Sequence, residues 1–395
     1  MSLLQNNQNA FPVLENVLKC VAFTHADNYF FFKKVRVYKI GCGSLVIRFP
    51  KDFFKGNGGL KKIRRGLLVI KKSSEVVCVE NVALGIFLKK QILTDPFAIE
   101  SVFAKQQTFQ ACAHVVKLLD SFEYTKTKAG EKRTHAIVVS KFYELGDLQV
   151  AIRKRGCLNE EEWPNLVSQL LCGVQEIHQQ GYVHRDIKSG NIFLTREGGV
   201  LRVVIGDLDF AQRTNEFGKI GGTTRMFAPE YHYVIRELEK IRGDCELSIV
   251  NAIAGNNREN ILNKYQKEKI SLITTLFGSK YRLQALDLWS LGLTLDFLRK
   301  SLYKDCQWVS ENLYPPQFWS AQNSSLSDNG GFKDKLIDFC LKKSLPPSFP
   351  VPPQQEPPFA RVLREMIEGF LVIDPDRRLK IDVAIGMLSS LLPGL

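Results

Sequence analysis

Residues 184–191 read His-Arg-Asp-Ile-Lys-Ser-Gly-Asn and stand directly before the apolar stretch Ile192-Phe193-Leu194. The segment carries a carboxylate at Asp186, an ammonium at Lys188 and a carboxamide at Asn191. A short apolar run next to polar residues is typical of a buried strand. We therefore expect the polar side chains to lie on a loop that is anchored by this strand.

The octapeptide resembles the catalytic loop of eukaryotic-type protein kinases, in the form found in serine/threonine kinases. Phosphoryl transfer needs a carboxylate that orients the attacking hydroxyl, and oxygen ligands that hold magnesium. The resemblance implies that Asp186 orients the hydroxyl, Lys188 stabilises charge on the moving phosphoryl group, and Asn191 binds metal. It also implies ATP and Mg²⁺ as cofactors, a protein as substrate, and a packed structural role for His184.

A second acidic site follows the apolar strand Val203-Val204-Ile205. In the family an acid at this place opens the triplet Asp-Phe-Gly and binds magnesium, and here the triplet is Asp207-Leu208-Asp209. The register Asp209-Phe210-Ala211 is an alternative, but Asp207 is preferred because Ile-Gly-Asp ends the strand. Asp209 replaces a flexible glycine. Its charge would either help to hold magnesium or oppose the binding of ATP.

The segment after this acid closes with Ala228-Pro229-Glu230, and Gly222-Thr223 precedes that closure. The Gly-Thr pair resembles the serine/threonine kinase pattern, in which the Thr hydroxyl contacts the catalytic Asp and Lys. Arg185 would pair with a phosphate on this segment, yet residues 215–222 contain no Ser, Thr or Tyr. We therefore expect the segment to be held without phosphorylation in its middle, with Glu216 near Arg185.

Two later motifs resemble structural parts of the same family. Asp287 opens Asp-Leu-Trp-Ser-Leu-Gly, and the resemblance implies that this Asp braces the backbone of the catalytic loop. Arg378 ends Asp-Pro-Asp-Arg-Arg, and the resemblance pairs it with Glu230. Residues 233–283 are longer than the usual family connection. We predict a largely helical insertion there, which is either a structural elaboration or a dock for a substrate or partner.

The groups that would position ATP are harder to assign. Gly41-Cys42-Gly43 follows a predicted strand and resembles a phosphate-covering glycine loop, although such pairs also form simple hairpin turns. Lys71, in Leu-Val-Ile-Lys, is the preferred ATP-positioning lysine, and Lys89 is a second candidate. A third register, Val82-Ala83-Leu84-Gly85, puts glycine at the lysine position, so a displaced or absent lysine also stays open. Glu100 is the predicted ion-pair partner, with a solvated surface residue as the alternative.

Strand patterns dominate the first part of the chain, and helix patterns follow Glu144. Apolar residues at helical spacing between Glu160 and Gln179 predict a helix. A strand-rich part before a helix-rich part predicts an α+β protein. The resemblance narrows this to a two-lobed kinase fold, with a small antiparallel-sheet N-lobe and a mainly helical C-lobe.

The predicted strands cover 35–40, 44–49, 67–71, 76–79, 82–88, 115–119 and 136–139, with a helix at 96–113. The predicted domains are an N-terminal extension at 1–34 and a kinase domain at 35–392, divided into an N-lobe at 35–143 and a C-lobe at 144–392.

The net charge of +13 over 395 residues is unevenly distributed. Residues 1–143 hold 23 Lys and Arg against 10 Asp and Glu, so the whole excess lies there. The densest cluster is Lys61-Lys62-Ile63-Arg64-Arg65. It is interpreted either as a solvated basic face or as a docking surface for an acidic partner or anionic lipid, with nucleic acid disfavoured.

The nine cysteines are scattered and form no Cys-x-x-Cys pair. Zinc sites and a disulfide framework are therefore disfavoured, and a reducing compartment is favoured. The sequence contains no apolar run of about 20 residues that could span a membrane. Its start lacks the basic and apolar regions of a signal peptide. We predict a cytoplasmic, intracellular protein.

Two other functions are compatible with parts of this pattern. A pseudokinase would keep the fold as an ATP-binding or scaffold module, and it is supported by the uncertain lysine and by Asp209. The presence of Asp186, Lys188, Asn191 and Asp207 speaks against it. A phosphotransferase acting on a small molecule would use similar groups, but the Gly-Thr and Ala-Pro-Glu segment favours a peptide substrate.

Overall fold

The computed structural model describes residues 29–32, 35–39, 45–48, 56–57, 61–72, 75–88, 107–128, 131–154, 158–214, 221–251, 264, 267–268, 271, 280–303 and 356–391. They form two compact units. The first contains the described residues within Met1–Gln110 and Val116–Phe142, and the second contains those within Ala111–Val115 and Tyr143–Leu395.

The first unit is built around one antiparallel sheet. Its strands follow the spatial order β1-β2-β3-β5-β6-β8-β7, and β4 pairs with β5. The strands are β1 (Tyr29–Phe32), β2 (Val35–Lys39), β3 (Leu45–Arg48), β4 (Gly56–Asn57), β5 (Lys61–Lys72), β6 (Glu75–Leu88), β7 (Leu118–Lys128) and β8 (Glu131–Lys141). The predicted antiparallel-sheet N-lobe is confirmed.

Several predicted element boundaries in this unit were wrong. The segments predicted at 76–79 and 82–88 form one strand, because Glu80 and Asn81 between them pair with Leu68 and Leu67 of β5. β1 lies in the predicted extension, yet it pairs with β2 and belongs to the sheet. In the predicted helix at 96–113, residues 107–108 are helical and 109–111 form a turn, while 96–106 lie outside the described residues.

One face of this sheet forms the hydrophobic core of the first unit. Side chains alternate between the two faces of a strand, so every second residue of β5, β6 and β8 points to the same side. The core cluster consists of Tyr38, Val46, Leu68, Val82, Leu84, Ile86, Ile137 and Val139. The intervening residues, including Lys61, Gly85 and Phe87, therefore belong to the opposite face.

The second unit is mainly helical. Its elements in chain order are β9 (Gly146–Asp147), α1 (Leu148–Arg153), α2 (Trp163–Gln179), β10 (Tyr182–Val183), β11 (Ile192–Glu197), β12 (Val200–Ile205), β13 (Gln212–Arg213), α3 (Pro229–Asn251), α4 (Lys280–Leu302), α5 (Pro358–Phe370) and α6 (Ile381–Leu391). This arrangement confirms the predicted helical C-lobe and the α+β, two-lobed kinase fold.

The α2 helix supports the strands that carry the candidate site. It begins after a turn at residues 160–162, where the backbone N–H of Asn159 donates to Glu162 Oε2 at 2.8 Å. Its apolar face includes Leu166, Leu170 and Val174, which are fully buried. This face packs on β12, and α6 covers another side of the helix. The predicted helix at Glu160–Gln179 is thus confirmed, with its first turn in a tighter form.

Buried charges join α4 to α5 in the second unit. Glu356 accepts hydrogen bonds from Arg299 at 2.8 Å and from Arg364 at 2.9 Å. Burial alone would raise the pKa of Glu356, but the two guanidinium groups hold this pKa below its usual range. The three side chains therefore stabilise one another where the two helices pack.

The predicted insertion at 233–283 starts inside α3 and ends inside α4. Residues 264, 267, 268 and 271 are also helical, and the rest of the stretch between the two helices lies outside the described residues. Its role and the predicted domain limits stay predictions. Within the described part of the chain, no helix is both long and apolar enough to cross a membrane.

Candidate active site

The loop between β10 and β11 gathers the predicted catalytic residues around Asp186. Asp186 is buried, with only 2% of its surface exposed. Its Oδ2 accepts hydrogen bonds from Lys188 Nζ at 2.7 Å and from Asn191 Nδ2 at 2.9 Å. Its Oδ1 accepts one from the backbone N–H of Thr223 at 2.8 Å. Three donors therefore set the orientation of the carboxylate.

Thr223 is connected to this loop through its side chain as well. Lys188 Nζ lies 2.7 Å from Thr223 Oγ1, so the ammonium bridges the hydroxyl and the Asp186 carboxylate. The preceding Gly222 has a φ of 120°, and a Cβ there would lie 2.5 Å from the carbonyl oxygen of Arg185. Only glycine fits such a conformation and approach. The Gly-Thr pair is therefore a steric requirement of this contact.

Asp287 braces the backbone of the catalytic loop from α4. Its fully buried carboxylate accepts the N–H groups of His184 and Arg185, each at 2.7 Å, and His178 Nε2 at 2.9 Å. Burial alone would raise the pKa of Asp287, but these donors and the nearby imidazoles hold this pKa below its usual value. Arg185 has a φ of 66°, a strained value that the paired N–H bonds to Asp287 help to maintain.

His184 connects the loop to the end of β12. Its Nδ1 accepts the N–H of Asp186 at 3.2 Å, so its Nε2 carries the proton and donates to the carbonyl of Gly206 at 2.9 Å. The imidazole is fully buried. These contacts give His184 a positioning role between the two acidic parts of the site.

The predicted metal ligands lie at neighbouring ends of the β11–β12 hairpin. Ile192 of β11 pairs with Ile205 of β12, and the N–H of Gly206 donates to the carbonyl of Asn191 at 2.8 Å. Asp207 follows with a φ of 63° and a ψ of 59°, a left-handed conformation that Asp tolerates better than most residues. β12 ends at Ile205, which pairs with Ile192, so Asp207 follows directly after the strand end that lies beside Asn191. Asp209 lies further on, in the turn at 208–210.

Asn191 and Asp207 supply oxygen donors of the kind that magnesium prefers. Among the described residues, no group of three or more His, Cys, Asp and Glu could hold a metal ion by itself. Magnesium typically binds through one or two carboxylates together with substrate phosphates and water. The carboxylate of Asp207 and the carboxamide of Asn191 therefore fit Mg²⁺ that is bound together with a nucleotide.

The side chain of Arg185 contacts Phe210 and Tyr231, near the two ends of residues 207–230, which form the activation segment. Its Nε donates to the carbonyl of Phe210 at 2.8 Å, and its Nη1 lies 3.4 Å from the hydroxyl of Tyr231. The Tyr231 hydroxyl also accepts the N–H of Gly221 at 3.1 Å. Burial lowers the pKa of the Arg185 guanidinium. The predicted neighbour Glu216 lies outside the described residues.

Sequence reasoning did not find Tyr231. The available signal was its place directly after Ala228-Pro229-Glu230, at the first turn of α3. The ring packs edge-on against Phe227, with ring centroids 4.6 Å apart. The hydroxyl is thereby held where it reaches both Arg185 and Gly221.

Under the phosphate-transfer function that the resemblance of the catalytic loop implies, Tyr231→Phe is expected to lower the transfer rate about fivefold, since each lost hydrogen bond is worth about 1 kcal/mol. The ring contact with Phe227 is kept, so we expect the unfolding midpoint to change little. The measurement is kcat at saturating Mg-ATP for both proteins. An unchanged kcat would mean that the Arg185–Phe210 contact positions the segment without Tyr231.

Arg378 and Glu230 form a buried ion pair in the second unit. Arg378 Nη1 lies 2.5 Å from Glu230 Oε1, and Nη2 lies 2.7 Å from Oε2. The guanidinium also donates to the carbonyls of Ala285, Val372 and Ile373 and stacks over Trp289. The pair ties the start of α3 to the segment before α6.

The predicted ATP-positioning groups are only partly described. Gly41, Gly43, Lys89 and Glu100 lie outside the described residues. Lys71 belongs to β5 and pairs with Val76, and nothing is described of its side chain. Its role stays a prediction.

The alternative register, Val82 to Gly85, lies on β6 and pairs directly with β8. β8 ends at Lys141, directly before Phe142 in the chain. β5, which carries Lys71, is one strand further from β8. Lys71 and a displaced lysine therefore both stay predictions.

The basic cluster at 61–65 is not one continuous solvated face. Arg64 is 5% exposed, and burial lowers the pKa of its guanidinium. Arg65 donates two hydrogen bonds to Asn81 Oδ1, at 2.9 and 3.2 Å. Lys62 is exposed, whereas Lys61 is partly buried. Alternation along β5 divides the charges between the two faces of the sheet.

The fold is that of a protein kinase domain. Residues 72–238 match the family model of the protein kinase domain, so the chain carries this domain. The match includes the catalytic loop and Glu230 but ends before Asp287 and Arg378, which the structure places in the same unit.

Curated relatives are kinases of low identity. The PAS domain-containing serine/threonine-protein kinase of Mus musculus is 24% identical over 228 residues, which cover 56% of this chain and 13% of that protein. The hormonally up-regulated neu tumor-associated kinase of Homo sapiens is 26% identical over 176 residues, covering 44% and 21%. MAP3K epsilon protein kinase 1 of Arabidopsis thaliana is 29% identical over 181 residues, covering 44% and 12%. The chain thus spans about a fifth or less of the length of these relatives.

Proposed function

We propose that the protein is an ATP-dependent serine/threonine protein kinase that transfers the γ-phosphoryl group of ATP to a protein hydroxyl. The observation that carries this proposal is the arrangement around Asp186, whose carboxylate is buried and oriented by Lys188, Asn191 and Thr223. Positioning of this kind provides most of the catalysis in phosphoryl transfer.

Each residue of this group has a distinct proposed role. Asp186 orients the substrate hydroxyl and accepts its proton, because its free lone pairs are aimed by the three donors. Lys188 holds a positive charge beside the reacting atoms and stabilises the developing negative charge. Asn191 and Asp207 would hold magnesium, which neutralises phosphate charge when it is bound.

The preference for serine and threonine rests on Thr223. Its hydroxyl contacts Lys188, which is the contact that resembles serine/threonine kinases. One curated relative is named as a serine/threonine-protein kinase, which supports the same assignment. We further propose a cytoplasmic location, which fits the scattered cysteines, and an acidic partner or anionic lipid at the exposed part of the basic cluster.

The proposed activity is tested by incubating the full chain with labelled Mg-ATP and a mixture of serine, threonine and tyrosine peptides. Lys188→Met is expected to lower the transfer rate by about 10²- to 10³-fold, because one preorganised cation at the reacting group is lost. Lys240→Met is the control, since Lys240 is exposed and its pair with Glu237 on α3 contributes little. Hydrolysis of the labelled products identifies the modified residue.

Wild-type transfer at the level of the Lys188→Met variant, with nucleotide still bound, would show a pseudokinase instead. Label found on tyrosine would overturn the serine/threonine assignment. Label transferred only to small-molecule acceptors would indicate the alternative phosphotransferase.

A further inference from the structure

Gly85 lies in the interior of β6, where a glycine weakens a strand and often marks a close approach by another group. It pairs with Ile63 of β5 and with Val138 of β8. A Cβ at this position would lie 3.5 Å from Lys61 Cδ and 3.8 Å from Val138 Cβ. The side chain of Lys61 therefore passes beside the position that the Cβ of a longer residue at position 85 would take.

Lys61 reaches this place from the first position of β5. It pairs with Phe87, and its Nζ lies 5.6 Å from the centroid of the Phe87 ring. The alternation of side chains puts Lys61, Gly85 and Phe87 on the face of the sheet opposite the hydrophobic core. The Lys61 side chain thus extends from β5 across the neighbouring strand β6, on the face that does not contain the core cluster.

A second cation lies on the same face. Arg65 pairs with Ala83, donates to the neutral amide oxygen of Asn81, and lies over the Phe142 ring at 4.9 Å. A neutral hydrogen-bond partner and an aromatic ring leave the positive charge of Arg65 in place. Lys61 and Arg65 therefore place two cationic side chains on this face, near positions 83 and 85. Cationic donors of this kind can bind an anionic ligand such as a phosphate group.

We infer that Lys61 supplies the ammonium that binds the phosphates of ATP, in place of a lysine at position 85. The inference rests on the proposed function, which requires ATP, and it names the residue that grips the nucleotide in the first unit. The physical reason is competition for space. A Cβ at position 85 would be in van der Waals contact with Lys61 Cδ at 3.5 Å, so a long side chain there would have to extend past Lys61.

Nucleotide binding tests this role without reference to catalysis. The full chain is titrated with a fluorescent ATP analogue in the presence of Mg²⁺, and Kd is measured for wild type, Lys61→Met and Lys62→Met. Loss of a hydrogen bond to a charged group predicts a Kd about 10- to 100-fold higher for Lys61→Met. Lys62 is exposed on the other face of β5, so Lys62→Met should change Kd by about twofold or less.

A relocated lysine separates loss of the ammonium from damage to the sheet. In the double variant Lys61→Ala with Gly85→Lys, the new side chain starts in the space that Lys61 has left. Its Cβ would lie 3.8 Å from Phe87 Cε2 and from Val138 Cβ, which are ordinary contacts, so the backbone need not move. We expect this variant to recover most of the lost affinity. The thermal unfolding midpoint of each variant shows whether the sheet has been kept.

The outcomes separate this inference from the proposed function. Nucleotide binding that depends on Lys61 without any transfer to protein would support the inference and reject the kinase activity. Transfer that persists with an unchanged Kd in Lys61→Met would support the activity and reject the inference. A rise in Kd for Lys71→Met but not for Lys61→Met would also reject it, in favour of the lysine that the sequence suggested. A wild type that binds no ATP rejects both.

Discussion

Asp186→Asn is expected to lower the rate of phosphate transfer by about 10²- to 10⁴-fold, the range expected for a lost general base. Asn keeps the shape of the side chain but carries no negative charge and offers one acceptor oxygen instead of two. Its amide group would face one of the three donors that the carboxylate now accepts, from Lys188, Asn191 and Thr223. Both proton acceptance and the orientation of the substrate hydroxyl are therefore lost.

The measurement is the single-turnover rate with labelled Mg-ATP, together with Kd for the nucleotide. Asp382→Asn serves as the control, because Asp382 is exposed on α6 and contacts only Gln175 among the hydrogen bonds of the described residues. The nucleotide Kd should stay close to the wild-type value in both variants. A transfer rate for Asp186→Asn equal to that of Asp382→Asn would contradict the catalytic role of Asp186.

Arg378→Met is expected to lower the free energy of unfolding by about 3 to 5 kcal/mol, the usual effect of removing one partner of a buried ion pair. Met is similar in length to Arg but donates no hydrogen bonds. Glu230 would keep a charge without its bidentate partner, and the carbonyls of Ala285, Val372 and Ile373 would each lose a donor. The damage reaches α3, α4 and the segment before α6 together.

The neighbouring Arg377 offers a matched control for chemical denaturation. It is exposed, so Arg377→Met should change the free energy of unfolding by about 0.5 kcal/mol or less. Glu230→Gln with Arg378→Met should be less destabilised than Arg378→Met alone, because the unpaired charge is removed as well. Equal stability of the Arg377 and Arg378 variants would mean that the ion pair does not hold these elements together.

The transfer site was accessible to sequence reasoning because its chemistry is local in the chain. Asp186, Lys188 and Asn191 lie within one octapeptide, and the structure brings them onto one carboxylate. Asp287 and Arg378 are distant in sequence, but each stands in a motif whose resemblance named its partner. The structure supplies the contacts that the motifs implied, and it adds the steric reason for Gly222.

Contacts set by strand order could not be found in this way. Glu80 and Asn81 interrupt the apolar pattern of β6, and only pairing with β5 makes the strand continuous. Tyr231 contacts Arg185 because α3 starts beside the catalytic loop, and no local sequence pattern predicts that contact. The basic cluster at 61–65 looked like one charged surface, but alternation along β5 sends its members to two faces.

The sequence by itself indicated a loop and candidate metal ligands that resemble those of a kinase, because a turn between two strands is specified by neighbouring residues. Only the tertiary structure pointed to Lys61 as the proposed cation for the nucleotide. In the sequence, position 85 is a glycine and offers no cation, and Lys61 lies 24 positions earlier. The register between β5 and β6 brings them together, because paired strands place residues side by side whatever their separation along the chain.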